Sequence, residues 1–292
     1  MNPAACMTVL FGPAAYQRKQ TIALLAMRSL HAELRLYPKP GLVSHRDSGA
    51  HRDMDANIFV RSLFSLRHYF AEIAAAGIRE ARLSELQQIG LKAERRMLGS
   101  TKGVNTHRGA IFTLGLLATA AGCAWAWDVA CSDETLRDIV VTRWGRDLRL
   151  GVVSHDVAPS HGRQVAAKFD VTGARGEAVH GFPAVFDRGL PQLRLALSKG
   201  AGQDEALIHT FFSLLADVAD TNVLYRAGVE GLQYLQHEAG AFIANGSVFA
   251  EGWFGQAELL HFQCIKRNLS PGGCADLLAA TWFVHQLQCS ER

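Results

Sequence analysis

An uncharged stretch of 19 residues, 109–127, constrains the fold of this chain more than any other feature of the sequence. Its length approaches the roughly 20 apolar residues that a membrane-spanning helix needs. It contains three glycines, many alanines and two threonines, and no other stretch of the chain is comparably long and uncharged. We therefore predict a helix buried at the centre of a globular core, and no membrane span.

Apolar residues spaced three or four apart dominate the rest of the chain, a pattern typical of amphipathic helices. Ser132 and Ser270 are typical helix starts, the latter followed by proline, and Gly77 is a typical helix end. The strand-like runs at 152–153 and 168–171 are too short to build a sheet. We predict about ten helices, over residues 17–36, 54–76, 79–98, 108–127, 133–149, 183–198, 203–219, 228–244, 250–266 and 271–288.

Composition limits the class of protein. The chain has 292 residues, of which 49% are hydrophobic and 20% charged, as in ordinary globular proteins. A net charge of +3 is too balanced for a nucleic-acid-binding protein. Six scattered cysteines without a CxxC pair, and no HExxH, argue against zinc. We predict a single all-α domain over 1–292, a cytoplasmic bundle with functional loops at helix N-termini.

The first polar loop, residues 38–55, concentrates positive charge just before a predicted helix. Backbone N–H groups and the helix dipole favour an anion at such a position. Its last two acids, Asp53 and Asp55, are either carboxylates of an active site or ordinary helix-start residues. The candidates here are Lys39, Arg46, His51 and Arg52 for anion binding, and Asp53 and Asp55 as acids.

The second polar loop, residues 100–109, leads directly into the uncharged helix. Gly103 permits close approach of a ligand to the backbone, and Lys102 and Arg108 supply charge. The spacing is not that of a Walker A loop. We predict an anion site that includes Asn105; the alternative is a plain helix cap at Thr106.

Two further clusters carry acids. Arg175 and Glu177, between glycines, are positioned to place a phosphate ligand beside a carboxylate, or to form a surface ion pair. Asp217 and Asp220 are three residues apart, so on one helix they share a face and suit Mg²⁺. The alternative is an Asx turn at 220–222. Asn222 and Ser270 complete this cluster.

Five stretches, in order through nearly the whole chain, resemble motifs of the triphosphoribosyl-dephospho-CoA synthase family. That family makes the prosthetic-group precursor of citrate lyase and malonate decarboxylase. DTNVLYRAG and the His-Gly-Arg stretch at 161–163 look more like the malonate decarboxylase branch. The stretches are PKPGLVSHRDSGAHRDMD at 38–55, GVNTHRGAIFTLGLL at 103–117, GARGEA with GFP at 173–183, DTNVLYRAGVEGL at 220–232 and SPGGCADLLAAT at 270–281.

The resemblance implies transfer of the 5-triphosphoribosyl group of ATP to the ribose 2′-hydroxyl of 3′-dephospho-CoA, with release of adenine. The product would pass to a holo-acyl-carrier-protein synthesis enzyme. Such a reaction needs a carboxylate beside an oxocarbenium-like centre, a base for the hydroxyl and a proton for adenine. The candidates for these roles are Asp53, Asp55, Glu177, Asp220 and His107, with His51 as an alternative for proton transfer.

The resemblance also implies how the substrates are held. Mg²⁺ is expected with ATP, on Asp220 and Asp217, and no organic cofactor is expected. Ala219 stands where the family commonly has an acid, which leaves Asp220 the single acid of its motif unless Asp217 substitutes. The candidates for substrate binding are Lys39, Arg46, His51, Arg52, Lys102, Asn105, Arg108, Arg175, Asn222 and Ser270.

Two other functions remain open from the sequence. One is a Mg²⁺-dependent hydrolase of a nucleotide or ADP-ribosyl N-glycosidic bond, in which water replaces the acceptor hydroxyl. The other is a non-catalytic module for CoA-like ligands or nucleic acid. The basic loops hold almost no aromatic residues, which disfavours single-strand binding.

Overall fold

A computed structural model describes residues 13–151, 165, 169 and 171–291, and these residues form helices and loops without a strand. The all-α prediction is confirmed, and the part of the chain that the structure describes forms twelve α-helices where about ten were predicted. A π-helical segment, Ala184–Gly189, and a 3₁₀ turn, Ser247–Phe249, are added. The helices are α1 (Pro13–Arg35), α2 (Ala56–Ser65), α3 (Tyr69–Ile78), α4 (Leu83–Ser100), α5 (Arg108–Ala126), α6 (Asp133–Leu150), α7 (Gly173–Val179), α8 (Leu190–Ser198), α9 (Gln203–Asp217), α10 (Thr221–Ala244), α11 (Trp253–Lys266) and α12 (Gly272–Ser290).

Helix α5, which contains most of the uncharged stretch, lies at the centre of the fold. It contacts α1, α3, α4, α6, α7 and α12. Nearly every side chain from Ala110 to Ala124 is buried. Among the described residues it is the one helix with the length and hydropathy of a membrane span, and most of it is covered by protein. The predicted core helix is therefore found where the sequence placed it.

Helices α3 and α5 pack with their backbones in close contact, because a glycine of each helix faces the backbone of the other. A Cβ atom on Gly77 would lie 2.1 Å from the Thr119 carbonyl oxygen, and one on Gly122 would lie 2.3 Å from that of Ala74. Near the start of α5 the Tyr69 hydroxyl donates to the Ile111 carbonyl at 2.7 Å. These contacts fix the position of α5 along its axis relative to α3. They therefore also fix the position of its N-terminus in the bundle.

Several predicted boundaries were wrong. The pattern at 54–76 is two helices, because the chain turns after Ser65 and places Leu66 in the core. The Ser65 hydroxyl donates to the Ser62 carbonyl and satisfies the end of α2. The segment 173–179, which lay outside the predicted helices, is helix α7. The predicted helix 183–198 begins with the π-helical segment and continues as α8.

Helix α10 begins seven residues before the predicted start at 228. Gly228 has φ +64° and ψ −162°, which breaks the helix into two parts. L-residues with side chains rarely adopt this conformation, so glycine permits the break. The features at 152–153 and 161–163 lie outside the described residues.

We expect Gly77→Ala to lower the free energy of unfolding by about 1–3 kcal/mol, because the added methyl group must displace the Thr119 backbone. The matched control is Gly240→Ala within α10, where a Cβ would meet open space. That change is expected to stabilise by roughly 0.5–1 kcal/mol through helix propensity alone. Chemical denaturation of both variants measures the difference, and equal effects would contradict close α3–α5 packing.

Candidate active site

A cavity of about 1030 Å³ opens at the N-terminus of α5. Its wall also includes the starts of α10 and α12, part of the π-helical segment, and residues of α1, α4 and α7. Ten of the predicted site residues line it: His51, Asn105, His107, Arg108, Arg175, Glu177, Asp217, Asp220, Asn222 and Ser270. Four sequence clusters that are far apart in the chain therefore meet at one place.

Asp220 joins two helices at the cavity wall. It is 2% exposed, and one carboxylate oxygen accepts the N–H groups of Asn222 at 2.8 Å and Val223 at 3.3 Å. The other oxygen accepts the Cys274 N–H at 2.8 Å, in the first turn of α12. Burial raises the pKa of Asp220, while these N–H donors oppose the rise.

The predicted shared helix face for Asp217 and Asp220 was wrong. Helix α9 ends at Asp217, and Asp220 is instead the N-cap of α10, as the Asx-turn alternative anticipated. Asp217 forms an ion pair with Arg188 of the π-helical segment, and both side chains line the cavity. The two aspartates therefore have different partners and different exposure.

Asp276 is a second acid at the cavity, and its side chain is partly buried. It accepts a hydrogen bond from the Ala110 N–H in the first turn of α5. A Cβ on Gly109 would lie only 1.9 Å from its Oδ2 atom, so glycine is required there. Burial, followed by the charges of Glu33 and Asp220, raises the pKa of Asp276 well above its usual range. The group favours its neutral, protonated form.

Lys39 is buried in the core and does not line the cavity. It is 1% exposed, and its Nζ lies 2.5 Å from Glu33 Oε1. Burial lowers the pKa of Lys39, and Glu33 opposes that shift. Glu33 itself lines the cavity. Lys39 therefore compensates a buried carboxylate and does not line the space for a ligand.

His51 and Ser270 form a hydrogen-bonded pair held by Arg226. His51 Nε2 lies 2.7 Å from Ser270 Oγ, and Arg226 donates to His51 Nδ1 at 3.1 Å. Because arginine can only donate, Nδ1 accepts and the ring proton lies on Nε2. Burial and then the Arg226 charge lower the pKa of His51. His51 is thus a donor to Ser270, which is the wrong arrangement for a serine nucleophile.

Some residues of the loop before α5 line the cavity, and others are exposed to solvent. Asn105 accepts the Arg108 N–H at 3.2 Å, and Arg108 forms an ion pair with Glu94. His107 is the N-cap residue in place of Thr106 and is buried. Lys102 is exposed and does not line the cavity. The charge available to a ligand from this loop is therefore that of Arg108.

The predicted side-by-side placement of Arg175 and Glu177 was wrong. They lie two apart on α7, so they do not face each other. Arg175 Nε donates to the Leu148 carbonyl at 2.5 Å, at the end of α6. Glu177 accepts the Ala184 N–H at 3.0 Å, and burial raises its pKa. Both side chains line the cavity.

Four other candidates of the first loop lie outside the cavity wall. Arg46 is exposed and stacks over the Tyr37 ring, 4.4 Å from its centroid. Arg52 and Asp53 are also exposed, and Asp53 lies 3.6 Å from His51 Nδ1. Asp55 caps α2 by accepting the Ile58 N–H at 2.8 Å. The structure thus favours the helix-start alternative for Asp55.

The sequence candidates omitted seven charged residues that line the cavity: Glu33, Glu94, Asp147, Asp187, Arg188, Arg226 and Asp276. Glu33 had a detectable signal, because it is an acid on the apolar stripe of α1. Arg226 and Asp276 lie inside the quoted motifs. Arg188 had no distinguishing signal, since its place depends on the π-helical segment.

The described lining of the cavity is acidic overall, with eight carboxylates and four arginines. The two helix N-termini predicted to bind an anion already bind carboxylates of the chain itself, Asp55 at α2 and Asp276 at α5, and Asp220 does the same at the starts of α10 and α12. Among the described residues no group of three or more His, Cys, Asp or Glu forms a metal cage. The carboxylates are Glu33, Glu94, Asp147, Glu177, Asp187, Asp217, Asp220 and Asp276, and the arginines are Arg108, Arg175, Arg188 and Arg226.

We expect Asp276→Asn to raise the thermal unfolding midpoint by a few degrees at pH 8. A raised folded-state pKa means that this group contributes stability below about pH 4, which is lost as pH rises toward the folded-state pKa. Asparagine does not ionise, so the gain over the unsubstituted chain grows with pH. Calorimetry from pH 5 to pH 8 measures it. A difference that is constant with pH would show that Asp276 is not a destabilising buried acid.

Comparisons with known proteins agree on one family. Residues 19–292 match the family described as ATP:dephospho-CoA triphosphoribosyl transferase. The chain is 37% identical over 279 residues to a 2-(5''-triphosphoribosyl)-3'-dephosphocoenzyme-A synthase of Pectobacterium atrosepticum, covering 92% of this chain and 91% of the relative. A probable synthase of the same name from Pseudomonas fluorescens is 40% identical, covering 92% of each chain.

A further probable synthase, from Acinetobacter calcoaceticus, is 33% identical over 272 residues, covering 93% of this chain and 92% of that one. No solved structure matches the chain. The family match spans the helices that build the cavity, from α1 to α12. The chain therefore belongs to the ATP:dephospho-CoA triphosphoribosyl transferase family.

Proposed function

We propose that this chain transfers the 5-triphosphoribosyl group of ATP to the ribose 2′-hydroxyl of 3′-dephospho-CoA and releases adenine. The observation that carries the proposal is the meeting of three carboxyl groups with raised pKa, Glu177, Asp220 and Asp276, in a cavity that arginines also line. At about 1030 Å³ the cavity lies at the upper end of the usual range for ligand sites. That size suits nucleotide substrates.

The reaction breaks the C1′–N9 bond of ATP and forms a bond from C1′ to the acceptor oxygen. The acceptor hydroxyl loses a proton and adenine gains one. We assign the proton for adenine to Asp276, because its neutral form is favoured. Glu177, partly buried with a raised pKa, is the candidate base for the hydroxyl. Asp220 keeps its oxygens on backbone N–H groups and shapes the site.

We propose that Mg²⁺ enters with the triphosphate. The acidic lining would repel a free polyphosphate, and Mg²⁺ in proteins is usually held by one or two carboxylates plus substrate phosphates. Asp217 fits as that carboxylate, since it lines the cavity beside Arg188. Asp220 does not fit, since its oxygens already accept three N–H groups. The metal would neutralise phosphate charge.

Product use is also a proposal. We propose that the product is the prosthetic-group precursor for the acyl carrier protein of malonate decarboxylase, transferred by a holo-acyl-carrier-protein synthesis enzyme in the cytoplasm. The sequence of DTNVLYRAG at 220–228 supports this branch. Supplying the product to the carrier proteins of malonate decarboxylase and citrate lyase, each with its own transferase, tests it. Equal modification of both would remove the preference.

The direct test uses the purified chain with ATP, Mg²⁺ and 3′-dephospho-CoA. We expect adenine and a triphosphoribosylated coenzyme in equal amounts, measured by chromatography and mass spectrometry. The control acceptor is 2′-deoxy-3′-dephospho-CoA, which lacks the attacking hydroxyl and should yield no product. Adenine release that is independent of the acceptor would support the hydrolase alternative and contradict the transferase.

A second prediction concerns the cation beside the proposed metal carboxylate. Arg188→Gln should raise the KM for ATP by about tenfold or more, because a charge-assisted contact to phosphate contributes about 1.5–3 kcal/mol. Arg35→Gln is the matched control, since Arg35 pairs with Asp204 on the surface and does not line the cavity. Steady-state kinetics distinguish them. An unchanged KM in the Arg188 variant would remove this residue from the triphosphate site.

A further inference from the structure

His107 lies on the cavity wall with one ring nitrogen engaged and the other without a partner. The residue is 3% exposed, and its Nδ1 lies 2.6 Å from Ser62 Oγ in α2. The Phe59 ring packs against it edge to face, with centroids 5.1 Å apart. The opposite nitrogen, Nε2, is buried and has no hydrogen-bond partner among the described residues. A buried polar atom of this kind normally has a hydrogen-bond partner, so we expect Nε2 to bind an atom of a ligand.

A second hydroxyl fixes the direction of this hydrogen bond. Thr106 Oγ1 donates to Ser62 Oγ at 2.6 Å. A serine hydroxyl carries one proton, and no other acceptor for that proton is found around Ser62 in the described part of the chain. The Ser62 proton therefore points at His107 Nδ1, which must accept it. A neutral imidazole has one N–H group, so this proton lies on Nε2.

The charge state of the ring agrees with this arrangement. Burial, and then the charge of nearby Lys39, lowers the pKa of His107 to about 4. At neutral pH the ring is uncharged, so it carries one proton only. With Nδ1 occupied by a donor, the unpartnered ring nitrogen of this cavity-lining residue carries an N–H group.

We propose that Thr106 and Ser62 are positioning residues that hold His107 as the Nε2–H tautomer, so that it donates a hydrogen bond to an acceptor atom of the nucleotide substrate. His107 would then stabilise negative charge as the glycosidic bond breaks, in the manner of a fixed neutral donor. It would not act as a base. The identity of the ligand rests on the proposed transferase function, whereas the tautomer does not.

The tautomer is measured by ¹⁵N NMR of the full chain with labelled histidine, with His107→Gln identifying the resonances. We expect an unprotonated Nδ1 and a protonated Nε2 at pH 7. In Thr106→Val the hydroxyl that donates to Ser62 is lost, and signal from the Nδ1–H form should appear. Thr106→Ser keeps the hydroxyl and should keep the original spectrum. A protonated Nδ1 in the unsubstituted chain would overturn the proposal, whether or not the chain releases adenine.

Kinetics provide the second readout. Thr106→Val should lower kcat roughly five- to tenfold with little change in the KM for ATP, since the lost interaction acts in the transition state. Thr106→Ser should recover most of that turnover. Ser62→Ala removes the contact to Nδ1 directly and should lower kcat further. Equal losses of kcat in Thr106→Val and Thr106→Ser would show that Thr106 acts only through packing. That result would contradict its role in fixing the tautomer of His107. Adenine release that fails in the unsubstituted chain would reject the transferase while leaving the NMR result to decide the tautomer.

Discussion

The burial of α5 inside a ring of six helices determines where the rest of the site can form. An apolar helix covered on all sides leaves its two ends as the places where polar groups can approach. At the N-terminal end, Gly109 admits the Asp276 carboxyl group against the backbone. The glycine contacts between α3 and α5 fix the position of α5 along its axis. Its N-terminus then lies beside the starts of α10 and α12.

The chemistry of the cavity follows from how its carboxyl groups are buried. Asp220 is satisfied by N–H groups of two helices, so its role is to fix their geometry. Asp276 has its Ala110 contact, but burial and then the charges of two acidic neighbours raise its pKa, so its neutral form is favoured. Similar carboxyl groups in different environments have different pKa values, and one site can therefore supply both an acid and a base. Such burial costs stability and is retained where function needs it.

Sequence reasoning located the clusters but not the contacts within them. The length and lack of charge of 109–127 were sufficient to predict the central helix, because a helix that is apolar on all sides is normally buried. Lys39 was predicted to bind an anion. No local sequence pattern shows that it pairs in the core with Glu33, six residues earlier. Arg175 and Glu177 were predicted side by side because they lie between glycines, yet both are on α7, where residues two apart do not face each other. Relations across the fold, such as Asp276 with Gly109, depend on packing that no local pattern records.

Hydrogen–deuterium exchange with and without ATP, Mg²⁺ and 3′-dephospho-CoA tests most directly whether both substrates meet in this cavity. We expect substrate-dependent slowing of exchange at residues 105–111, 220–226 and 270–276, which form the cavity wall at the starts of three helices. The exposed cations of the first two loops, at positions 46, 52 and 102, should show little change. Protection confined to 45–53 and 100–104, with none at the helix starts, would contradict the placement of the reaction in the cavity.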